Sequence, residues 1–271
     1  LVWGVGLGCH GIVRVLLERL PTRPAWAAVL AENFAARRFT QLAVVHHSPA
    51  DLSTKALATA EAPANEGASD SVFLGTSLAS ELPRTLLDDR SRVFRETIPP
   101  PIALAIFGAG DDAQPLARLA KELGWQVTVA DPRAAFATSE RFPSADRIVV
   151  APAEELAALV YDTSDSPALL VHRSLGEGGS EAEGLAIVMT HHYVHDVPLL
   201  RTLLPRPLAY LGLLGPKKRA EKILADLARA GFDATPEQRA RLHAPVGLDL
   251  GADGPEQVAL AIVAEIQAVL A

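Results

Sequence analysis

A single cysteine, Cys9, stands among 271 residues. No intramolecular disulfide and no multi-cysteine metal site can be built from it, and a reducing intracellular compartment is the natural setting. Aromatic residues are scarce, 5% against a hydrophobic fraction of 49%, so the interior has to be made of Ala, Leu, Val and Ile, the composition of layered α/β proteins. Positive charge is in deficit: 25 Lys and Arg face 32 Asp and Glu, a net charge of −7. That balance argues against general nucleic-acid binding, which needs a basic face. No apolar run approaches the roughly 18 residues of a membrane span, and the first residues lack the basic-then-apolar pattern of a secretory leader, so a soluble, cytoplasmic chain is expected. Also missing are G-x-S-x-G, G-x-x-x-x-G-K-[ST] and H-E-x-x-H, which removes support from the common hydrolase, P-loop and zinc-protease readings. No internal repeat is present.

Against these absences one stretch organises the chain. Ile102 to Phe107 is apolar throughout, as a strand covered on both faces should be, and Pro99-Pro100-Pro101 forbids earlier ladder pairing. Gly108-Ala109-Gly110-Asp111-Asp112-Ala113 follows with the spacing G-x-G-x-x-A. In dinucleotide folds the first position allows the tight turn, the second lets a ligand approach the backbone, and the third lets helix pack on strand. A helix pattern from Ala113 to Leu123, Gly124, and a second strand from Trp125 to Ala130 complete a βαβ context. Asp131 lies 21 positions after Gly110 (131 − 110), near the offset of the acid that contacts a ribose in such folds.

The length suggests two domains. Residues 1–98 form a smaller α/β domain, and residues 99–271 a Rossmann-like domain with a parallel sheet. In the first, Gly6 to Gly11 is formally G-x-G-x-x-G, but Ile12 to Glu18 is strand-like where that fingerprint requires a helix, so a glycine turn between strands is expected. Pro24 opens a helix through about Arg37, Gln41 to His46 is a short strand, and Ala60 to Ser71 a surface loop. Leu1 falls within a glycine-rich segment, so a preceding piece of this domain is expected. In the second domain, Ile148 to Ala151 is a short strand and Glu154 to Val160 a helix. Residues 161–184, with a strand-like Ala168 to His172, interrupt the rhythm. Leu185 to Met189 and Leu208 to Gly212 are further strands, alternating with helices His195 to Leu204 and Pro216 to Ala230. Pro255 to Leu270 carries an apolar stripe suited to docking on the sheet.

The candidate chemistry falls at strand ends, where open α/β sheets bind ligands. Asp111 and Asp112 occupy the first helical positions, where a pyrophosphate would otherwise rest. They either stabilise the helix dipole or belong to a binding site. Asp131 either meets a ribose or begins a turn before Pro132. His191, four residues before His195 and followed by Asp196, admits three roles: metal pair, ligand contact or structural histidine. Lys217, Lys218 and Arg219 crowd the first turn of a helix whose dipole disfavours them, so either an anion held with Gly215 compensates them or they form a solvated basic turn. Cys9 beside His10 is open between a base-paired thiolate, a soft ligand and a small buried residue.

Four stretches in order, GVGLGCHG, FGAGDDAQPLARLAKELGWQVTVADPR, VMTHHYVHDVPLL with YLGLLGPKKR, and APVGLDLGADGPEQVALAIVAEI, resemble the xanthine dehydrogenase accessory factor family, the XdhC/CoxI-like proteins. The resemblance implies a maturation chaperone and not an enzyme. Such a protein binds molybdenum cofactor (molybdopterin) as cargo, assists its sulfuration with a cysteine desulfurase, inserts it into an apo molybdenum hydroxylase such as xanthine dehydrogenase, and associates with itself. Carried over, the matched cofactor-binding positions are Gly8, Cys9 and Gly11, then Gly108, Gly110, Asp131 and Arg133, then Thr190, His191 and Asp196, then Gly212 and Gly215. Lys217 and Arg219 are added from the residue-level reading, with a phosphate in view. Two departures stand out: Asp111 replaces the histidine associated with the family, and a further glycine- and cysteine-bearing segment upstream of GVGLGCHG is not seen. From a different class, an NAD(P)-dependent oxidoreductase would use the same glycine turn with His191 as its acid–base group. A third reading is a metal-dependent hydrolase through His191, His195 and Asp196.

Overall fold

The computed structural model describes residues 18–36, 38–47, 75–78, 92–161, 171–172, 181–182 and 184–271. Expectations for the glycine turn at residues 1–11, the strand at 12–17, the loop at 60–71 and the interruption at 162–170 and 173–180 lie outside them. Backbone contacts divide the chain into residues 1–33 with 39–98, and residues 34–38 with 99–271.

In the first unit, helix α1 (Ala25–Ala35) precedes strand β1 (Thr40–His47), which is central in an antiparallel sheet of order β2-β1-β3 with β2 (Gly75–Leu78) and β3 (Arg92–Ile98). Leu42 stands opposite Leu78 on one side and Glu96 on the other. Leu42 and Ala43 are buried, and Asn33 Nδ2 donates to Thr40 Oγ1 at 3.0 Å. Of these strands the periodicity predicts only β1. β3 reads RVFRETI and exposes Phe94, so its pattern is masked by charge.

The second unit is a six-stranded parallel sheet of order β11-β10-β9-β4-β5-β6. From β4 (Ala103–Phe107) the chain runs through helix α2 (Ala113–Glu122) to β5 (Gln126–Ala130), then to β6 (Arg147–Val149) and helix α3 (Ala153–Tyr161). A two-residue antiparallel pair, β7 (Val171–His172) and β8 (Glu181–Ala182), marks the excursion. The chain then returns to the other side of β4 as β9 (Leu185–Val188). Helix α4 (Tyr193–Leu203), β10 (Tyr210–Leu213), helix α5 (Lys217–Arg229), the short α6 (Pro236–Ala240), β11 (Leu242–His243) and helix α7 (Pro255–Leu270) follow. Strand order therefore reverses between β4 and β9, and in open sheets such a reversal leaves a crevice outside the carboxyl ends of the two strands.

β4 shows why this strand is central. Ala103, Ala105 and Phe107 face the layer made by α3, α4 and α5, while Leu104 and Ile106 face α2 and α7. All five are buried, and each fully buried Leu, Ile or Phe stabilises the fold by about 1.5–3 kcal/mol. Helix α2 buries Ala113, Leu116, Ala117 and Ala120, small enough to let it lie close on the sheet. Gly124, at φ +75°, ends it where the sequence expects. Helix α4 begins two residues earlier than its expected start, because His192, in extended conformation, supplies the first acceptor to His195 and Asp196 N–H. Helix α5 begins at Lys217, with Pro216 outside it.

Candidate functional site

Three turns meet at the carboxyl ends of β5, β4, β9 and β10. The first is the glycine turn. Gly108 adopts φ +122°, and a Cβ there would lie 2.5 Å from the Met189 carbonyl oxygen, so the residue is glycine because the turn presses on the end of β9. Gly108 N–H donates to Ala130 O at 2.8 Å, tying the turn to β5 as well.

Asp131, at the end of β5, holds the next residue of the turn. Its Oδ2 accepts from Ala109 N–H at 2.7 Å and Arg133 Nη2 at 2.8 Å, and its Oδ1 accepts from Arg133 N–H at 2.8 Å and Nε at 2.9 Å. The carboxylate is fully buried, with 0% exposure. Burial pushes its pKa up, and the donors from Arg133 and Ala109 outweigh burial and hold it below the ordinary value. With four donors on two oxygens, Asp131 has no acceptor left for a ribose. The carboxylate is a buried clasp on the glycine turn. Arg133 also lies over the Phe136 ring, 4.1 Å from its centroid.

The acids that follow are engaged by side chains. Asp111 pairs with Arg141 at 2.8 Å, and Arg141 also donates to Ala109 O at 3.3 Å. Asp112 caps nothing in α2 and instead meets His191 Nε2 at 2.7 Å.

The second turn follows β9. Thr190 is buried, and its Oγ1 accepts from His192 N–H at 3.0 Å and donates to Asp196 Oδ1 at 2.5 Å. Asp196, 1% exposed, takes Arg219 Nε at 2.8 Å and Nη2 at 2.5 Å on its other oxygen. The third turn, before α5, is bound to the second through this pair. A buried charge of this kind is tolerated because it is matched and hydrogen-bonded at once. Arg219 therefore owes its place in the first turn of α5 to Asp196. Gly215, at φ +125°, leaves room for the Arg219 side chain, whose Cδ would lie 3.0 Å from a Cβ there. Lys217 and Lys218 stay exposed.

The fold thus gathers Gly108, Gly110, Asp131, Arg133, Thr190, His191, Asp196, Gly215, Lys217 and Arg219 around one crevice. Gly212 is different. It sits buried in β10, where a Cβ would meet Val246 Cγ2 at 2.4 Å, Ile187 Cδ1 at 2.9 Å and Tyr210 Cε1 at 3.0 Å. Its missing side chain serves core packing. Gly8, Cys9 and Gly11 lie outside the described residues. Among the described residues no group of three or more His, Cys, Asp or Glu converges as a metal site. His195 packs on His192 at 5.4 Å between ring centroids. Arg141, thirty positions from Asp111, carried no local signal.

A family model described as the XdhC Rossmann domain matches residues 104–266. The chain belongs to the XdhC family. Across 272 aligned residues, 98% of this chain and 72% of the relative, it is 31% identical to a Bacillus subtilis protein named as a probable xanthine dehydrogenase subunit. An uncharacterized Escherichia coli protein, YqeB, is 30% identical over 60% of this chain and 26% of its own length. A crystal structure described as a xanthine dehydrogenase from Bacillus halodurans matches with a TM-score of 0.58 at 25% identity, over 88% of this XdhC-family chain and 62% of the other. The chain thus spans less than two thirds of that protein. Among the described residues no helix is long and apolar enough to cross a membrane.

Proposed function

We propose that this chain is a cytoplasmic accessory factor that carries molybdenum cofactor, assists its sulfuration and delivers it to an apo molybdenum hydroxylase of the xanthine dehydrogenase type. A cysteine desulfurase and a second copy of the chain are its further partners. Membership of the XdhC family supports the maturation role, and the names of two relatives tie the family to xanthine dehydrogenase. The observation that carries cargo binding is the start of α5. Arg219 is consumed by Asp196, while Lys217 and Lys218 remain exposed beside Gly215 at a helix N-terminus, where backbone N–H groups and the dipole favour an anion. A terminal phosphate on the pterin suits that chemistry, and Lys217, Lys218 and Gly215 would hold it. Bound cofactor would supply molybdenum–dithiolene chemistry to the client enzyme.

The test is to load the full chain with molybdenum cofactor and measure what survives gel filtration. Stoichiometric retention, cut at least about tenfold by Lys217→Ala, supports the reading; a tenfold change corresponds to about 1.4 kcal/mol. No retention overturns it. The NAD(P)-dependent oxidoreductase reading requires a pyrophosphate at the glycine turn, but Asp112 places a carboxylate over Gly110, its Oδ1 only 2.8 Å from where a Cβ would stand. Fluorescence titration with NADH and NADPH is expected to show no binding at millimolar concentration.

A further inference from the structure

His191 is the one non-glycine residue with positive φ among the described residues, at +60°. That backbone costs roughly 1–2 kcal/mol for a residue with a Cβ, and the Thr190–Asp196–Arg219 network braces it. The strain aims the imidazole across the β4–β9 crevice, where Nε2 reaches Asp112 Oδ2 at 2.7 Å. Asp112 gives up something as well. It stands at the N-cap of α2, where an aspartate normally accepts from the helix, yet makes no cap hydrogen bond, forgoing about 0.5–2 kcal/mol. Its other oxygen, Oδ1, is buried without a hydrogen-bond partner among the described residues. In return the pair gains little stability, because the His191 side chain is 58% exposed and water competes for the hydrogen bond, whose net contribution is about 0.5–1.5 kcal/mol. Three local costs exceed the gain, so stability does not account for the contact, and its place at the strand-order reversal points to a ligand.

We infer that Asp112 is a positioning residue that fixes the His191 imidazole with its proton on Nε2, so that Nδ1 serves as the hydrogen-bond acceptor for a ring N–H of the pterin carried in this crevice. A carboxylate only accepts, which assigns the proton to Nε2. The Nε2–Cδ2 edge faces the glycine turn, with Cδ2 at 3.8 Å from the Gly110 Cβ position. Nδ1 therefore lies across the ring, without a hydrogen-bond partner among the described residues. The same carboxylate makes this turn hostile to phosphate. The donor-bearing heterocycle belongs here and the phosphate at the α5 turn. This assignment rests on the cargo reading, and the two are separable by experiment.

Full-length protein labelled with 15N is titrated separately with 6-hydroxymethylpterin, which has neither phosphate nor metal, and with inorganic phosphate. His191→Asn, which tolerates the left-handed backbone, assigns the imidazole signals. A hydrogen-bonded Nε2–H is expected in the wild type and absent in Asp112→Ala. The pterin is expected to shift Nδ1 of His191 and to bind about fivefold more weakly to Asp112→Ala, one hydrogen bond's worth, with Asp112→Asn, which keeps an acceptor, falling between. Asp112→Ser, which can cap α2, is expected to be at least as stable as the wild type, separating loss of binding from loss of fold. An unshifted His191 Nδ1 at saturating or millimolar pterin overturns the inference, as does a wild type lacking the Nε2–H signal. Phosphate is expected to perturb the amides of Gly215, Lys217 and Lys218 only. Their silence counts against the cargo reading and leaves the His191 result to be decided by the pterin arm.

Discussion

Replacing Asp131 with asparagine tests whether charge holds the glycine turn. Asparagine keeps the volume but offers one acceptor oxygen where two took four donors, and its NH2 group must face N–H groups of Ala109 or Arg133. Breaking a buried pair by removing one partner costs about 3–5 kcal/mol. Here the Arg133 side chain is 31% exposed and can turn to water, which lowers the expectation to about 2–3 kcal/mol. Trp125 is 2% exposed against α2, so urea unfolding followed by its fluorescence, in a Trp3→Phe, Trp26→Phe background, reports on the parallel-sheet unit. The sign of the pH dependence follows from the direction of the shift. The folded carboxyl titrates below its unfolded value of about 3.9. Its stabilisation is therefore complete at pH 7, begins to fade as pH falls through about 4, and is lost as pH passes the folded value. Arg133, whose pKa is raised by the same hydrogen bonds, stays charged throughout. The gap between wild type and Asp131→Asn should narrow below pH 4 by up to about 1.4 kcal/mol per pH unit. A gap at pH 7 of less than about 1 kcal/mol, or one equally wide at pH 3, would refute the clasp.

Gly212→Ala is expected to cost about 1–3 kcal/mol by overpacking. Val246→Ala removes the nearest clash, so a double-mutant cycle should show a coupling of at least about 0.5 kcal/mol, and strict additivity would mean the core yields elsewhere. Burial raises the Tyr193 phenol, and its hydrogen bond to Asp226 at 2.5 Å adds to this, bringing it to about 12. Phenolate absorbance should show a step there that Tyr193→Phe abolishes. The contribution is present below the unfolded value of about 10 and lost as pH rises through 12, so the fold should weaken across that range. An Asp226→Asn protein with an unchanged step would show that the carboxylate is not responsible.

Glycines were the most legible marks in the chain. Gly124 ends α2, Gly231 ends α5 at φ +85°, and Gly108 closes the turn after β4, each needing a backbone that other residues resist. The strands β4 and β9 were legible too, because a parallel strand buried on both faces reads as an unbroken apolar run, and β5, QVTVA, by its β-branched residues after Gly124. What escaped was short or masked. β11 has two residues, too few for any period, and β3, RVFRETI, sets Val93 beside Phe94 and Arg95 beside Glu96, which breaks the alternation of a half-buried strand. The capping box of α6, with Thr235 and Gln238 each bonded to the other's backbone, was spelled in the sequence as T-x-x-Q but began a helix of only five residues.

Local pattern, then, determined the βαβ frame, the ends of its helices and the list of polar residues at strand ends, since burial and backbone freedom leave their trace within a few positions. Only the tertiary structure decided what those residues do. Asp131 and Asp196 lie 22 and 23 positions from Ala109 and Arg219, and Asp112 lies 79 from His191. A carboxylate looks the same in a sequence whether it awaits a ligand or is already committed to a partner. The return of the chain across β4, which sets the glycine turn beside the β9 turn, makes that difference.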